Sequence, residues 1–210
     1  MKPQGTLRAA IALFAASLPA VAVADGREDS APPPDPPRVT VSATATYGIG
    51  GYSAFGGQLH GFYHLPGWST EAVTGTFDVG LLFGVQVEPQ FLQYGVLDGQ
   101  ENSAQRLNTF ATLGHSFHLG AERRSILGAH VFAGWSHVFS QASLVSPTLG
   151  IDRSASDDYG RFNVGAILQY DYRFSDWIGF DVQAVGPFPV QPSYVTTLFH
   201  VGIGLTAYVP

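Results

Sequence analysis

A polypeptide of 210 residues with 16 acidic and 10 basic side chains has a net charge of −6 and contains no cysteine. An acidic chain without a basic stripe argues against nucleic-acid binding, and the lack of cysteine excludes disulfides, thiolate metal sites and a cysteine nucleophile. Charged residues make up only 12% of the chain, which is typical of a protein whose outer surface does not all meet water.

Residues 1–24 have the pattern of a cleavable secretory signal peptide. Lys2 and Arg8 form a positive start, an apolar run covers 9–18, and small residues precede Asp25. This run is shorter than the roughly 20 residues that a membrane-spanning helix needs. Without the leader the chain keeps 10 − 2 = 8 basic and 16 acidic residues, a net charge of −8.

The next segment, 25–38, is rich in proline and in charged residues. This composition predicts an extended, polyproline-type periplasmic tether without a packed core of its own. We therefore divide the chain into a signal peptide at 1–24, a tether at 25–38 and one folded domain at 39–210.

From Val39 onward, apolar residues alternate with polar or small ones. A period of two is the strand period, because successive side chains leave opposite faces of the backbone. The alternation predicts eight strands, at about 39–48, 55–65, 74–88, 107–118, 125–139, 161–173, 178–184 and 194–208. Phe62, Leu82 and Ile167 break the pattern, because each is an apolar residue on the polar face. Pro66, with the glycine after it, is predicted to end the second strand.

The sixth and seventh predicted strands form a hairpin around the loop 175–177. Side chains directly opposite each other in an antiparallel pair share a face, so the loop must preserve the alternation. A three-residue loop does so, and it predicts Arg173 opposite Gly179 and Asp171 opposite Asp181. Arg173 is then diagonal to Asp181, within reach of a long side chain.

The connections between the predicted strands differ in length. Those after the second, fourth and sixth strands are mostly short, whereas 89–106 and 140–158 are predicted as long, acidic loops. An even number of strands with short turns at one rim and long loops at the other is typical of a transmembrane barrel. Most of the strands also reach the roughly 9–11 residues that a tilted strand needs to cross a bilayer. We therefore predict an all-β fold, an eight-stranded antiparallel up-and-down transmembrane β-barrel.

Aromatic residues gather near the ends of the predicted strands. Trp177 and Phe174 lie at a short turn, Trp135 and Phe139 at the start of a long loop, and Tyr208 near the C terminus. Girdles of aromatic residues at both membrane interfaces are expected of such barrels, so these five residues are predicted to form them.

The leader, the eight alternating segments and the closing strand 199–208 resemble small bacterial outer-membrane barrels of the OmpX/Ail-like, OmpW-like and OmpA-barrel groups. The resemblance covers 39–210 and departs at the end, where Val209 and Pro210 follow the aromatic residue on which such chains commonly finish. It implies the outer membrane of a Gram-negative bacterium, contacts with outer-membrane lipids and lipopolysaccharide, and insertion by the barrel-assembly machinery.

Several charged residues fall on the inward face of the predicted barrel: Asp78, Glu88, Arg161, Asp171, Arg173 and Asp181. An eight-stranded barrel is narrow enough for side chains to meet across it, and it leaves no open aqueous channel. Since unpaired charges in such an interior are costly, carboxylates paired with arginines are predicted to plug it. An ion path or a general-acid pair is the alternative.

Histidines are the other candidates for chemistry. Four of them are predicted to face inward: His60, His64, His130 and His200. Their spacing is not specific for a metal site. Lipid A deacylases of this architecture use a Ser–His pair on the outer wall, which makes Ser116 with His115 or His118 a candidate. Adjacent strand residues point to opposite faces, however, so Ser116 is not expected to meet His115.

The second predicted loop contains Asp152, Asp157 and Asp158, whose carboxylates are the type of ligand that calcium prefers. Scattered carboxylates in a solvated loop are the commoner arrangement. We therefore predict no catalytic, cofactor-binding or metal-binding residues.

Three functions are compatible with these features. We predict a non-enzymatic structural or surface-interaction protein, in which the barrel is an anchor and the loops 89–106 and 140–158 contact an extracellular ligand. The first alternative is OmpW-like passage of small hydrophobic molecules through a lateral opening, which the proline-rich stretch 187–192 and the weak second strand favour. The second alternative is a lipid-modifying enzyme, which needs a catalytic pair on the lipid-facing wall.

Overall fold

The computed structural model describes residues 35–49, 54–90, 100–146, 151–188 and 199–210. The predicted signal peptide and all of the predicted tether before residue 35 lie outside these ranges. The described chain forms eight strands: β1 (Val39–Ile49), β2 (Ala54–Ser69), β3 (Val73–Gln90), β4 (Gln100–Leu119), β5 (Ser125–Ser146), β6 (Ile151–Arg173), β7 (Ile178–Phe188) and β8 (Phe199–Val209).

These strands form one closed ring. Each pairs with its neighbours in sequence, and β8 returns to pair with β1. Every pairing is antiparallel, so the predicted eight-stranded, all-β barrel is confirmed. Within the described ranges, no helix has the length and apolar character to cross a membrane.

The hairpin of β6 and β7 has the predicted register. Asp171 pairs with Asp181 and Arg173 with Gly179. The alternation along both strands sets this register, because a slip by one residue would move every apolar side chain to the opposite face.

The two predicted long loops are strand for much of their length, and here the prediction was wrong. The segment 89–106 contains the end of β3 and the start of β4, and 140–158 contains the end of β5 and the start of β6. The sequence signal fails there because the apolar–polar alternation fades. A strand that meets water on both faces carries polar residues on both, and its sequence then looks like a loop.

The second strand is also longer than predicted. Pro66 does not end it, since β2 continues to Ser69 with a shift of register between these two residues. A strand proline is tolerated at such an irregularity, where a ladder hydrogen bond is lost anyway. The first residues of the last predicted strand, 194–198, lie outside the described ranges.

The barrel is polar inside and apolar outside. Inward positions no more than 5% exposed include Thr40, Ser42, Thr44, His60, Gln86, Thr112, Gln183 and Thr206. Outward positions between 44% and 58% exposed include Val41, Leu59, Leu81, Phe83, Val131, Leu168, Ile203 and Leu205. A continuous apolar wall of this kind is stable against hydrocarbon and not against water.

The three apolar residues that break the alternation keep to the strand period and face inward. Phe62 is 3% exposed, and Leu82 and Ile167 are fully buried. Leu82 and Ile167 join three further side chains in one buried apolar cluster inside the barrel. They therefore pack against one another and their neighbours inside the barrel.

Four of the five predicted girdle residues are exposed on the outer wall: Trp135, Phe139, Phe174 and Trp177. Trp177 lies at the rim where β1 begins and β8 ends, which we call the terminal rim, and Trp135 lies toward the opposite, far rim. Tyr208 contradicts the prediction. It is 3% exposed and faces inward, with the guanidinium carbon of Arg173 4.8 Å from the centre of its ring.

Inward glycines make room for interior aromatic rings. A Cβ added at Gly165 would lie 2.4 Å from the Cζ atom of Phe132 and 2.4 Å from the carbonyl oxygen of Gly186. We expect Gly165→Ala to lower the free energy of unfolding by about 1–3 kcal/mol, because neither the backbone nor the packed ring can yield freely. Urea titration of the folded barrel measures this change.

The matched control is Gly57→Ala on the outer wall, where the added Cβ would come no closer than 3.7 Å to its neighbours. This variant is expected to change the free energy of unfolding by no more than about 0.5 kcal/mol. Equal effects of the two substitutions would contradict the close approach at Gly165.

Candidate functional site

Asp78, on β3, accepts hydrogen bonds from four side chains. His64 Nδ1 donates to its Oδ1 at 2.6 Å, and His130 Nε2 donates to its Oδ2 at 2.9 Å. The hydroxyl groups of Thr76 and Ser116 also donate to it, Thr76 at 2.9 Å. The Asp78 side chain is fully buried, and its donors come from β2, β3, β4 and β5. One carboxylate therefore cross-links four consecutive strands from inside the barrel.

All four histidines that were predicted to face inward do so, but they do not form one cluster. The rings of His60 and His130 lie 6.2 Å apart, in the half of the interior toward the terminal rim. His200 lies in the far half and contacts the side chain of Gln86. Their shared inward direction follows from the strand period, whereas their height in the barrel follows from the register of the ring.

The structure does not place the candidate Ser–His pair on the outer wall. Ser116 is 3% exposed and points inward, toward Asp78. His115 lies on the outer face, where its ring donates from Nδ1 to the carbonyl oxygen of Thr76 at 3.2 Å. His118 is fully buried inside the barrel. Ser116 and both neighbouring histidines therefore do not converge on the lipid-facing side.

A pair of carboxylates, Asp171 and Asp181, lies between β6 and β7. Asp171 accepts a hydrogen bond from Thr206 Oγ1 at 2.9 Å, and the fully buried Asp181 faces it from the paired position. Arg173 was predicted to lie within reach of Asp181, but its side chain donates a hydrogen bond elsewhere. Arg173 Nη2 donates to the carbonyl oxygen of Asp176 at 2.9 Å, so this guanidinium braces the β6–β7 turn.

A chain of uncharged side chains spans the far half of the interior. Asn163 Nδ2 donates to Ser136 Oγ at 2.8 Å, and Ser136 Oγ donates to Asn108 Oδ1 at 2.7 Å. Asn108 Nδ2 donates to Gln86 Oε1 at 3.4 Å, and Gln86 contacts His200. The chain passes from β6 over β5, β4 and β3 to β8. Sequence reasoning did not find it, although the inward period of these positions was available as a signal.

Two arginines belong to the same half. Arg106 and Arg161 both line a small cavity there, beside the chain of amides and hydroxyls. The side chain of Glu88, another predicted inward charge, is not among the described ones. Arg106 and Arg161 thus lie toward the far rim, while Arg173 and the carboxylates Asp78, Asp171 and Asp181 lie closer to the terminal rim.

The far rim is uneven in height. The β1–β2 pairing ends at Gly48 with Ala54, whereas β5 and β6 stay paired as far as Ser146 with Ile151. On β6 the pairing with β7 starts only at Val164. Among the described residues, one side of the barrel therefore continues beyond the other.

We call this extension the raised sheet. It consists of the far ends of four strands: 88–90 of β3, 100–106 of β4, 140–146 of β5 and 151–158 of β6. It contains most of the strand residues that were predicted as loops. On the outer wall, the exposed Trp135 and Phe162 lie between the raised sheet and the terminal rim.

In the part of the chain that the structure describes, no three or more His, Cys, Asp or Glu side chains are grouped as a metal site. Of the predicted loop carboxylates, Asp158 pairs with His137. The side chains of Asp152 and Asp157 are outside the described ones.

No protein-family model matches this sequence, and no curated protein matches it. Among solved structures, Ail, the attachment invasion locus protein of Yersinia pestis, is 10% identical, covering 80% of this chain and 95% of its own, with a TM-score of 0.45. The N-terminal barrel domain of Pseudomonas aeruginosa OprF is 15% identical, covering 80% and 96%, with a TM-score of 0.40. Neisserial surface protein A is 9% identical, covering 81% and 94%, with a TM-score of 0.40. Likenesses this distant carry no argument about function.

The geometry itself defines the class. Eight strands close into a ring, the outer wall is apolar between aromatic ends, and the interior is lined by hydrogen-bonded polar groups. These are the properties of a membrane-embedded β-barrel. Its architecture is the closed eight-stranded barrel that the sequence predicted.

Proposed function

We propose that this chain is a surface-interaction protein of the bacterial outer membrane, anchored by its barrel and binding an extracellular partner through the raised sheet. The observation that carries the proposal is the uneven far rim, where among the described residues β3 to β6 continue beyond the last β1–β2 pair. Strands that cross the bilayer need only roughly 9–11 residues, so 20 to 23 residues in β4, β5 and β6 exceed what spanning demands.

The edge of the raised sheet indicates how a partner binds. Residues 151–163 of β6 precede its first pair with β7, and no strand lies on that side of them among the described residues. The chain that continues from β7 carries prolines at 187, 189 and 192, and proline supplies no N–H to a ladder. A sheet edge of this kind is a template for an added strand from another protein.

The net charge of the two rim segments favours a particular kind of partner strand. The segments 89–106 and 140–158 together carry five acidic and two basic residues, a net charge of 2 − 5 = −3. Long-range attraction favours oppositely charged partners and raises their association rate. The partner that fits best is an extended polypeptide segment with a net positive charge.

The test shortens the β5–β6 hairpin without changing its register. Gln141 pairs with Ser156 and Ser146 with Ile151, so deleting 141–146 together with 151–156 joins residues that remain partners. We expect bacteria that express this variant to lose most of their adhesion to a cultured epithelial layer, because residues 151–156, the outer half of that edge, are gone. Adhesion is counted as bound cells per expressing cell.

The matched control shortens the other hairpin. Deleting 88–90 with 102–104 removes paired residues of β3 and β4 and leaves the edge of β6 in place. This control is expected to keep its adhesion. Unchanged adhesion after the β5–β6 deletion, in cells whose barrel still shows a heat-dependent shift on a gel, would refute the raised sheet as the binding element.

Passage of small hydrophobic molecules and lipid modification remain predictions from the sequence. Neither gains a specific observation from the described residues, and we take neither further.

A further inference from the structure

The interior contains an apolar layer that the surface-interaction proposal does not use. Five side chains from β3 to β7 form it, all at most 6% exposed: Leu82, Phe110, Phe132, Ile167 and Val185. The rings of Phe110 and Phe132 stack with their centres 4.5 Å apart. We call these five residues the septum, and we propose that the septum, rather than the hydrogen-bonded polar side chains on either side of it, is the barrier that closes the barrel to water and ions.

The septum is tightly fitted. Phe110 pairs with Gly134 and Phe132 with Gly165 across neighbouring strands, so each ring lies where the partner position has no side chain. A Cβ at Gly134 would lie 3.0 Å from the Cδ1 atom of Phe110, and one at Gly165 2.4 Å from Phe132. The rings therefore fill the space that these glycines leave, at the density of a protein core.

The remaining side of the barrel interior is closed by a side-chain amide. Gln183 of β7 is fully buried and donates from Nε2 to Thr44 of β1 and, at 3.3 Å, to Gln58 of β2. Gly202 of β8 leaves room for it, because a Cβ there would lie 2.9 Å from the Cγ atom of Gln183. The septum and this amide together lie on or contact seven of the eight strands, β1 to β7. On β8, Gly202 leaves the space that Gln183 occupies.

Polar groups lie on both sides of the septum. Asp78 and its donors are toward the terminal rim, and the Asn163-to-Gln86 chain is toward the far rim. A cavity of about 20 Å³ in the far half has Phe110, Phe132 and Val185 among its lining residues, which is space for about one water molecule.

Such polar regions hold water, whereas an apolar constriction between them excludes it and stops ions that cannot shed their hydration. Removing polar side chains from either half leaves this constriction in place. Removing the two rings opens it, because neighbouring side chains cannot refill two aromatic volumes without backbone movement.

The experiment records currents through planar bilayers that contain the full chain. The unmodified protein is expected to give none, and Phe110→Ala combined with Phe132→Ala is expected to give resolvable single-channel steps. The matched control, Asn108→Ala combined with Ser136→Ala, breaks the far hydrogen-bond chain but keeps the septum, and it is expected to stay silent.

Steps from the unmodified protein or from the control, or silence from the folded double variant, would each overturn the proposal. Folding is checked by the heat-dependent shift on a gel. If the double variant does not fold, Phe132→Ala alone is compared with the unmodified chain for osmotic water permeability in vesicles. A faster light-scattering relaxation supports the septum as the barrier, and an unchanged rate overturns it.

Discussion

Asp78→Ala is expected to lower the free energy of unfolding by about 3–5 kcal/mol, since it leaves four buried donors without their acceptor. His64 and His130 lose the carboxylate to which they donate at 2.6 and 2.9 Å, and two hydroxyl groups lose it as well. Solvent water does not replace that acceptor without a cost in free energy, because the Asp78 side chain is fully buried. Urea titration of the protein refolded into lipid vesicles measures the loss.

The control for this prediction is Asp158→Ala. Asp158 also pairs with a histidine, His137, but its side chain is 60% exposed. Solvent screens that pair, so the substitution is expected to cost less than about 1 kcal/mol. If Asp78→Ala were as mild as Asp158→Ala, the cross-linking of four strands by one carboxylate would be wrong.

Val131→Arg is expected to lower the free energy of unfolding by about 2–4 kcal/mol, because it places a charge on the lipid-facing wall near mid-height. Val131 points outward from β5 and is 58% exposed, between the strand start at Ser125 and the aromatic Trp135. On a water-soluble sheet the same substitution at an exposed position would have almost no effect. Vesicle refolding with urea as denaturant gives the value.

The matched test of that prediction compares the cost of an arginine at two depths along the same strand. Phe139→Arg lies on the same strand and face, beyond Trp135 and toward water, and is expected to cost only about 0–1 kcal/mol beyond the loss of the ring. Phe139→Ala supplies the correction for the lost ring. A penalty at Val131 no larger than the corrected penalty at Phe139 would mean that the wall does not face hydrocarbon.

Local alternation predicted the fold well in the span where one face meets lipid and the other meets packed polar groups. The hairpin of β6 and β7 shows this most clearly, since Asp171 pairs with Asp181 as predicted. Alternation failed where that contrast disappears. The ends of β5 and β6 carry polar residues at most positions, so their sequence looked like a loop although their backbones are paired.

The sequence predicted which side chains face the interior, but not which of them contact one another. Parity placed Asp78 and the four histidines inward, yet it gave no means of knowing that His64 and His130 donate to Asp78. Partners across a barrel depend on the register of several strands at once, which no single segment contains. Tyr208 was misassigned to the outer girdle because aromatic character was given more weight than its inward parity.

By itself the sequence determined that this chain is an all-β barrel with an apolar outside, because a period of two and a low charge content are local properties. Only the closed ring decided which inward residues meet. It brought Phe110 and Phe132, from neighbouring strands, into a stack 4.5 Å apart, and among the described residues it extended four strands beyond the others. Contacts inside a tube depend on how far each strand is shifted against the next, and that shift is settled by the ring as a whole.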